Sequence, residues 1–374
     1  MNFEEHAGKS VLSRAGVSVP QGRLCASAQE AEAAARAIGP VVVKAQVPTG
    51  KRGKSGGVKL AATPEAAAAS AQAILGMEIG GFPVARVLVE EQAAIAREFY
   101  AAVLNDPASR SPLVLFSTEG GMDIEEVAAT RPESLRRMAV DIRKGFGPAD
   151  ARRLLLGLDL GEAAVPVAAM LVDLYRVYRQ HDAELLEINP LALLADGRVV
   201  PLDCKLTVDD AALYRQTDIA ELGAKEPLSA LEERGRALDL KYIELEGNVG
   251  VLANGAGLTM TTMDVVSHAG GRPSNFLEIG GEAYTKGTEA LDLVLSNPGV
   301  KSLVVNFCGA FARTDVMAGG VIQAWKTLNP TIPVFFSIHG TGEDEAVRMV
   351  REELGIEPYD RMEDAISAAV EAAR

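Results

Sequence analysis

The chain has 374 residues, 48% of them hydrophobic and 24% charged, with a formal net charge of −14 from 37 basic and 51 acidic side chains. That balance excludes disorder and fibrous repeats, and at roughly 100–200 residues per domain it leaves length for two or three cores. The acidic excess argues against nucleic acid or an anionic membrane as main partner, because both reward a basic face. Screening cuts charge effects off beyond about 8 Å, so a local group of cations can still hold phosphates. In chain order, Asn2 and Glu5 are spaced as a cap pair ahead of a helix that stops before Gly16. Ser27 and Glu30 repeat that spacing before an alanine-rich helix ending at Gly39-Pro40, and Val41-Val42-Val43-Lys44 then reads as a buried strand. Thr63-Pro64-Glu65 opens a further helix with proline at its first position, followed by strand-like runs at Val87–Glu91 and Glu98–Leu104. Val167, Met170, Leu171, Leu174, Val177 and Tyr178 recur at three and four, which predicts the core face of a helix over 163–180. A hairpin, Glu184–Ile188 returning as Val199–Asp203, and a polar helical connector over 218–238 close the first domain.

From Asn248 the pattern becomes short apolar runs, each followed by a glycine-bearing loop and a helical segment: Val249–Ala253, Leu303–Asn306 and Val334–Ile338. Strand, loop and helix in repetition predict a parallel sheet with crossover helices, which binds ligands beyond the carboxyl ends of its strands. Asn254-Gly255-Ala256-Gly257, Cys308-Gly309-Ala310 and His339-Gly340-Thr341-Gly342 all fall on that edge. Cys25, Cys204 and Cys308 are too few and too scattered for a disulfide framework or a zinc ribbon, so reduced thiols are expected. Met1–Glu5 carries acid where a signal peptide carries base, and no apolar run approaches the ~18 residues of a membrane span, so a cytoplasmic location is expected.

Two constellations carry chemistry. From Lys44 to Lys59 there are five cations (Lys44, Lys51, Arg52, Lys54, Lys59), four glycines and no acid. Glycine lets backbone N–H groups approach phosphate oxygens while the cations neutralise charge; the plainer reading is a solvated basic hairpin tip. A P-loop does not fit, since Pro48 stands at its first glycine and Val58-Lys59-Leu60 looks extended rather than helical. The second constellation is Glu187-Ile188-Asn189-Pro190 with Asp203. Glu187 and Asn189 share a strand face. A two-residue Asp196-Gly197 turn sets Pro190 opposite Asp203 and turns that carboxylate away. A three-residue loop, Ala195-Asp196-Gly197 with Gly197 left-handed, pairs Leu194 with Arg198 and Asn189 with Asp203. The second register is expected, because it gathers the sparse oxygen set that Mg²⁺ accepts when phosphates and water complete its octahedron.

In combination and order, these residues resemble a known family. Val43-Lys44, Arg52-Gly53-Lys54, Gly56-Gly57-Val58-Lys59, Ser117-Thr118-Glu119-Gly120-Gly121, Glu187-Ile188-Asn189-Pro190-Leu191, Leu202-Asp203, Asn254-Gly255-Ala256-Gly257-Leu258 and Val305-Asn306 leading to Arg313 are similar to the beta subunit of succinyl-CoA synthetase and its relatives. The resemblance implies an α/β chain with an N-terminal ATP-grasp domain (1–237) and a flavodoxin-like, doubly wound parallel-sheet CoA-ligase domain (238–374). It implies that Lys44, Arg52 and Gly53 touch the phosphates of ATP or GTP, that Glu90 and Glu98 line the nucleotide cleft, and that Asn189 and Asp203 ligate Mg²⁺. Lys44 and Glu187 are the implied catalytic groups, Glu187 steadying a histidine that belongs to a separate alpha subunit. That subunit also binds CoA, in an αβ or α₂β₂ assembly. Asn254 with Ala310, Phe311 and Ala312 match positions of the small carboxylic acid site. The chain departs from the family pattern at Pro48, Lys51, Glu278, Glu282, Phe311 and Ala312, which leaves the identity of the acid open. His268-Ala269-Gly270-Gly271 looks superficially like a phosphohistidine loop and is read instead as a helix end. Two rivals remain at this level: a stand-alone ATP-grasp carboxylate–amine ligase and a non-catalytic nucleotide-sensing subunit.

Overall fold

The computed structural model describes residues 1–50, 52–224, 228–279 and 286–374; Lys51 and Glu282, named above, lie outside them. The chain divides into two compact units, Met1–Glu226 and Pro227–Arg374. In the first, α1 (Glu5–Arg14), β1 (Gly22–Cys25), α2 (Ala28–Ile38), β2 (Val41–Ala45), β3 (Val58–Ala61), α3 (Pro64–Ile74), β4 (Glu78–Ile79), β5 (Phe82–Pro83) and β6 (Val87–Glu91) come first. They are followed by β7 (Ile95–Asp106), β8 (Ser111–Ser117), α4 (Ile124–Thr130), β9 (Leu135–Ala139), α5 (Pro148–Leu154), α6 (Ala164–Gln180), β10 (Ala183–Leu194), β11 (Val199–Pro201), β12 (Lys205–Val208) and α7 (Thr217–Ala220).

Four strands form an antiparallel sheet in the order β1-β6-β2-β3. On β2, Val41, Val43 and Ala45 enter a core built with the alanines of α2 and α3 (Ala31, Ala34, Ala35, Ala67, Ala71), whose small side chains let both helices lie close on the sheet. The period of two then sends Val42 and Lys44 to the opposite face. Ser27 and Thr63 cap these helices on the Glu30 and Ala66 amides, as their spacing predicts. The second sheet runs β11-β10-β7-β8-β9, with β12 also on β10. Its long pair, β7 and β10, packs on α6, whose Val167, Met170, Leu171, Leu174, Val177 and Tyr178 all join the core.

The helix start at Asn2 differs from expectation. Asn2 accepts from the Thr207 hydroxyl at 2.9 Å, and Glu4 occupies the cap position of α1 without a side-chain bond to the helix amides. Glu5 does not reach back to a backbone amide, because stronger cationic partners hold its carboxylate, as described below.

The second unit contains α8 (Ala230–Ala237), β13 (Tyr242–Glu244), β14 (Val249–Ala253), α9 (Ala256–His268), β15 (Asn275–Leu277), α10 (Gly287–Ser296), β16 (Ser302–Gly309), α11 (Thr314–Leu328), β17 (Val334–Gly340), α12 (Glu343–Leu354) and α13 (Met362–Ala372). Strands β14, β16 and β17 are parallel neighbours in that order. Val249, Val251 and Val304 face a core made with α9 and α13. Leu252, Leu303 and Val305 face the other way, onto α10, α11 and α12. Both faces are therefore covered, as a doubly wound sheet requires. Helix α8, placed by sequence in the connector before residue 238, packs within this second unit. Glu232 accepts from the Glu244 amide at 3.1 Å, Arg234 pairs with Asp292, and Gly235 closes on Tyr242.

Candidate functional site

The first unit holds a cavity of about 720 Å³ lined by β2, β3 and β6 on one side and by the 121–125 loop and residues 187–190 and 202–205 on the other. Val42, Val58 and Leu60 give it an apolar patch, while Lys44, Arg52, Gly53, Glu90, Glu187, Asn189 and Asp203 supply polar groups. Glu98 is not among the lining residues. Its carboxylate lies against Gly121, beneath the loop that forms the rim.

Lys44 and Arg52 of the glycine-rich segment are not left unneutralised, contrary to what the acid-free run 44–59 suggests. Lys44 Nζ donates to Glu5 Oε1 (2.9 Å), Glu90 Oε1 (2.6 Å) and the Leu202 carbonyl (2.6 Å). Arg52 donates to Glu5 Oε2 (2.7 Å), the Ala45 carbonyl (3.0 Å) and Asp203 Oδ1 (2.5 Å). Lys9 Nζ lies 2.8 Å from Glu5 Oε1 and donates to Glu90 Oε2 (2.5 Å) and the Leu202 carbonyl (3.0 Å). Lys9, Lys44 and Arg52 thus balance Glu5, Glu90 and Asp203, and all but Asp203 are buried. Such a cluster is tolerable in a protein interior only because every charge has partners.

The electrostatics follow from this packing. Burial alone pushes the Glu5 carboxyl up, but Lys44, Lys9 and Arg52 together hold it well below the usual range. Burial likewise disfavours the Lys44 ammonium, yet the carboxylates of Glu5 and Glu90, with Asp203 adding, raise it above its ordinary value. Glu187 behaves oppositely. Burial raises its carboxyl, and the nearby Asp203, Glu125 and Asp123 add to the rise against the opposing Lys205. Lys205 is its cross-strand partner on β12.

The hairpin adopts the three-residue loop. Leu194 N–H donates to the Arg198 carbonyl at 2.8 Å, and Gly197 has φ +86°. The ladder Leu193↔Val199, Ala192↔Val200, Leu191↔Pro201 continues through the Leu202 amide bonded to the Pro190 carbonyl, which sets Asn189 level with Asp203. Asn189 is clamped by backbone: Oδ1 accepts from the Gly121 amide and Nδ2 donates to the Met122 carbonyl, both at 2.8 Å. Asp203 Oδ1 accepts from Arg52 and from the Cys204 amide (2.7 Å), and no hydrogen bond to Oδ2 is found among the described residues. An amide oxygen and a carboxylate, both lining the cavity, suit Mg²⁺, which takes one or two protein oxygens and leaves its remaining positions to phosphates and water. Among the described residues no three His, Cys, Asp or Glu side chains gather into a protein-only metal cage.

Sequence reasoning missed Glu5 and Lys9. The signal was present: Glu5, Lys9 and Leu12 recur at i, i+4 and i+7, so the two charges share the stripe of a buried leucine.

In the second unit the predicted ligand-edge residues do meet at the carboxyl ends of the parallel strands. The Asn254 side chain bridges β14 to β16, accepting from the Cys308 amide at 2.8 Å and donating to its carbonyl at 2.9 Å. The Ala310 carbonyl accepts from the Thr341 hydroxyl at 2.8 Å, Phe311 is fully exposed and Ala312 half-buried. His268 is the exposed last residue of α9, in keeping with its reading as a helix end, and His339 lies 3.5 Å from Glu343.

With this geometry the comparisons agree. Residues 2–193 match the ATP-grasp domain family and residues 252–369 the CoA-ligase family, so the chain joins an ATP-grasp domain to a CoA-ligase domain. The fold is shared over 99% of both chains with the ATP citrate lyase of Methanothrix soehngenii in complex with citrate and coenzyme A, at a TM-score of 0.79 and 23% identity. The chain is 44% identical over 352 residues to the succinate–CoA ligase (GDP-forming) subunit beta of Thermus thermophilus, covering 94% of this chain and 93% of that one. It is 43% identical over 379 residues to the ADP-forming subunit beta of Rubrobacter xylanophilus, covering 100% and 99%. The chain belongs to the succinate–CoA ligase beta-subunit family.

Proposed function

We propose that this chain is the nucleotide-binding beta subunit of an ATP-dependent, ADP-forming carboxylate–CoA ligase of the succinate–CoA ligase type. It works with an alpha subunit that carries the CoA site and a phosphorylatable histidine. The observation that carries this reading is that Lys44, Arg52, Asn189 and Asp203 all line one nucleotide-sized cavity. Its volume falls in the range of roughly 300–1,000 Å³ typical of small-molecule sites.

In this reading the base rests on Val42, Val58 and Leu60, and the phosphates lie along Gly53, Lys44 and Arg52 at the foot of the cleft. Asn189 and Asp203 would hold Mg²⁺, which would supply charge neutralisation for the outer phosphates. Lys44 and Arg52 direct N–H groups at the oxygens of the transferring phosphoryl group, where a fixed cation lowers the barrier most because it need not reorganise. Glu187, half-buried near Asp203, accepts the N–H of the neutral incoming imidazole, leaving the other ring nitrogen free to attack, and stabilises the positive charge that develops on the ring as the N–P bond forms. The γ-phosphoryl bond to ADP breaks as the bond to the histidine nitrogen forms. Phosphate then passes to the carboxylic acid, and the CoA thiolate displaces it as inorganic phosphate to leave the thioester. Asn254 and Ala310–Ala312 are assigned to the carboxylate end. No helix of the described residues is long and apolar enough to cross a membrane, and a cytoplasmic location is part of the proposal.

The test is release of ADP from ATP, or of GDP from GTP, by the chain co-purified with its partner, across a panel of carboxylic acids. The reading expects turnover that requires an acid and CoA together. Turnover by the isolated chain with an acid and an amine would install the carboxylate–amine ligase instead, and nucleotide binding without turnover would install the sensing subunit.

A further inference from the structure

Lys44 enters the phosphate role with no hydrogen to spare. An ammonium has three N–H donors, and those of Lys44 are taken by Glu5, Glu90 and the Leu202 carbonyl. To bond a phosphate oxygen, Lys44 must abandon at least one acceptor in a site where it is only 7% exposed, so water cannot replace it there. A buried carboxylate stripped of its cation is among the most costly states a protein can hold.

Lys9 removes that obstacle. It contacts the same three acceptors: Glu5 Oε1 at 2.8 Å, the second oxygen of Glu90 at 2.5 Å and the Leu202 carbonyl at 3.0 Å. Arg52 additionally holds Glu5 Oε2. Both carboxylates and the carbonyl that Lys44 leaves therefore keep a cationic partner, Glu90 through its other oxygen. We infer that Lys9 is a positioning residue that takes over Glu5, Glu90 and Leu202, and thereby frees Lys44 to turn its charge onto the nucleotide phosphates. Lys9 does not touch the nucleotide and is not one of the residues lining the cavity. The Leu202 carbonyl also links the network to the adjoining metal-ligand candidate Asp203, so the release of Lys44 leaves that backbone anchored. This inference rests on the proposal that the cavity binds a nucleoside triphosphate.

The experiment measures equilibrium binding of Mg-ATP and of adenosine to the full-length chain, together with thermal melting of the nucleotide-free protein. In Lys9→Met, Mg-ATP affinity falls by about tenfold or more, because each hydrogen bond Lys44 makes to phosphate now uncovers a buried carboxylate. Adenosine affinity stays at the wild-type value. Lys9→Met on a Glu90→Gln background costs far less than on the wild-type background, since the carboxylate that Lys44 could not abandon is gone. Lys9→Arg restores most of the affinity. Lys9→Gln, which loses the charge and keeps an N–H donor, serves as the second uncharged variant should Lys9→Met fail to fold. The inference is overturned if the uncharged variant melts lower yet binds Mg-ATP as wild type, if adenosine binding falls in parallel, or if the loss is the same on the Glu90→Gln background. A wild-type chain that binds no Mg-ATP overturns the nucleotide reading itself, an outcome separate from any of these.

Discussion

Lys44 and Arg52 were legible in the sequence because an acid-free, glycine-rich run is conspicuous in a chain of net charge −14. Their neutralisation was not, because Glu5, Glu90 and Asp203 reach them across 39 to 151 residues of chain that only the fold brings together. Glu5 sits at the centre of the resulting network, and its pH dependence has a definite sign. Its folded pKa lies below the ordinary 4.5, so its stabilising contribution is complete above that value and is lost as the pH falls toward the folded pKa. The Lys44 pKa is raised above 10.5, so its contribution is complete below that value and is lost as the pH rises through the folded pKa. The difference in urea midpoint between wild type and Glu5→Gln should therefore be constant between about 4.5 and 10.5 and shrink on the acid side. A difference that grows in acid would contradict the network. At the metal pair, Asp203→Asn keeps an oxygen but removes the charge. The Mg²⁺ concentration for half-maximal nucleotide binding should rise by about tenfold or more, on the scale of losing one charged interaction. Titration of Mg²⁺ at fixed nucleotide reads this directly.

At the scale of elements, one hairpin decides whether the two oxygens converge. Turn chemistry left its register open between a two-residue turn and a three-residue loop with Gly197 left-handed, which give opposite faces to Asp203; the fit to a metal site favoured the three-residue loop, and the hairpin adopts it. The cap of α1 was not readable. The Asn2/Glu5 spacing fits a cap, but burial of Glu5 among Lys9, Lys44 and Arg52 outweighs a single hydrogen bond to a helix end. The glycines at 120 and 121 show why that loop has its sequence. A Cβ on Gly120 would collide with the Phe99 backbone, and the Gly121 amide is the donor that clamps Asn189. Gly120→Ala must therefore push the loop off β7. The expected outcome is a loss of about 1–3 kcal/mol in stability from overpacking, accompanied by weaker Mg-nucleotide binding as Asn189 loses its clamp. Chemical denaturation and calorimetric titration check the two parts. A variant that loses stability while keeping full Mg-nucleotide affinity would show that the loop does not orient Asn189.

For the whole molecule, the division of labour follows from two kinds of sheet. The first unit opens a cavity between antiparallel sheets whose alternate residues face either core or ligand, and the second brings loops together at the carboxyl ends of parallel strands. The second was visible as a change of pattern after Asn248, to short apolar runs each followed by a glycine-bearing loop and a helical segment. What stayed hidden was where the helix Ala230–Ala237 belongs: the polar helical stretch reads as a connector, yet it packs on β13 and α10 of the second unit. The fully exposed Phe311 at the strand edge is a large apolar group in the segment assigned to the carboxylic acid, and Phe311→Gly is expected to change the ratio of kcat/KM among acids of different size more than it changes nucleotide KM. The most direct test of the central claim follows phosphate from nucleotide to protein. Incubated with γ-labelled ATP and Mg²⁺, the complex of this chain with its co-purifying partner should carry acid-labile, base-stable label on a histidine of the partner, and Lys44→Ala should slow that labelling by orders of magnitude. Label that stays on this chain, or a Lys44→Ala complex labelled at the wild-type rate, would contradict the account.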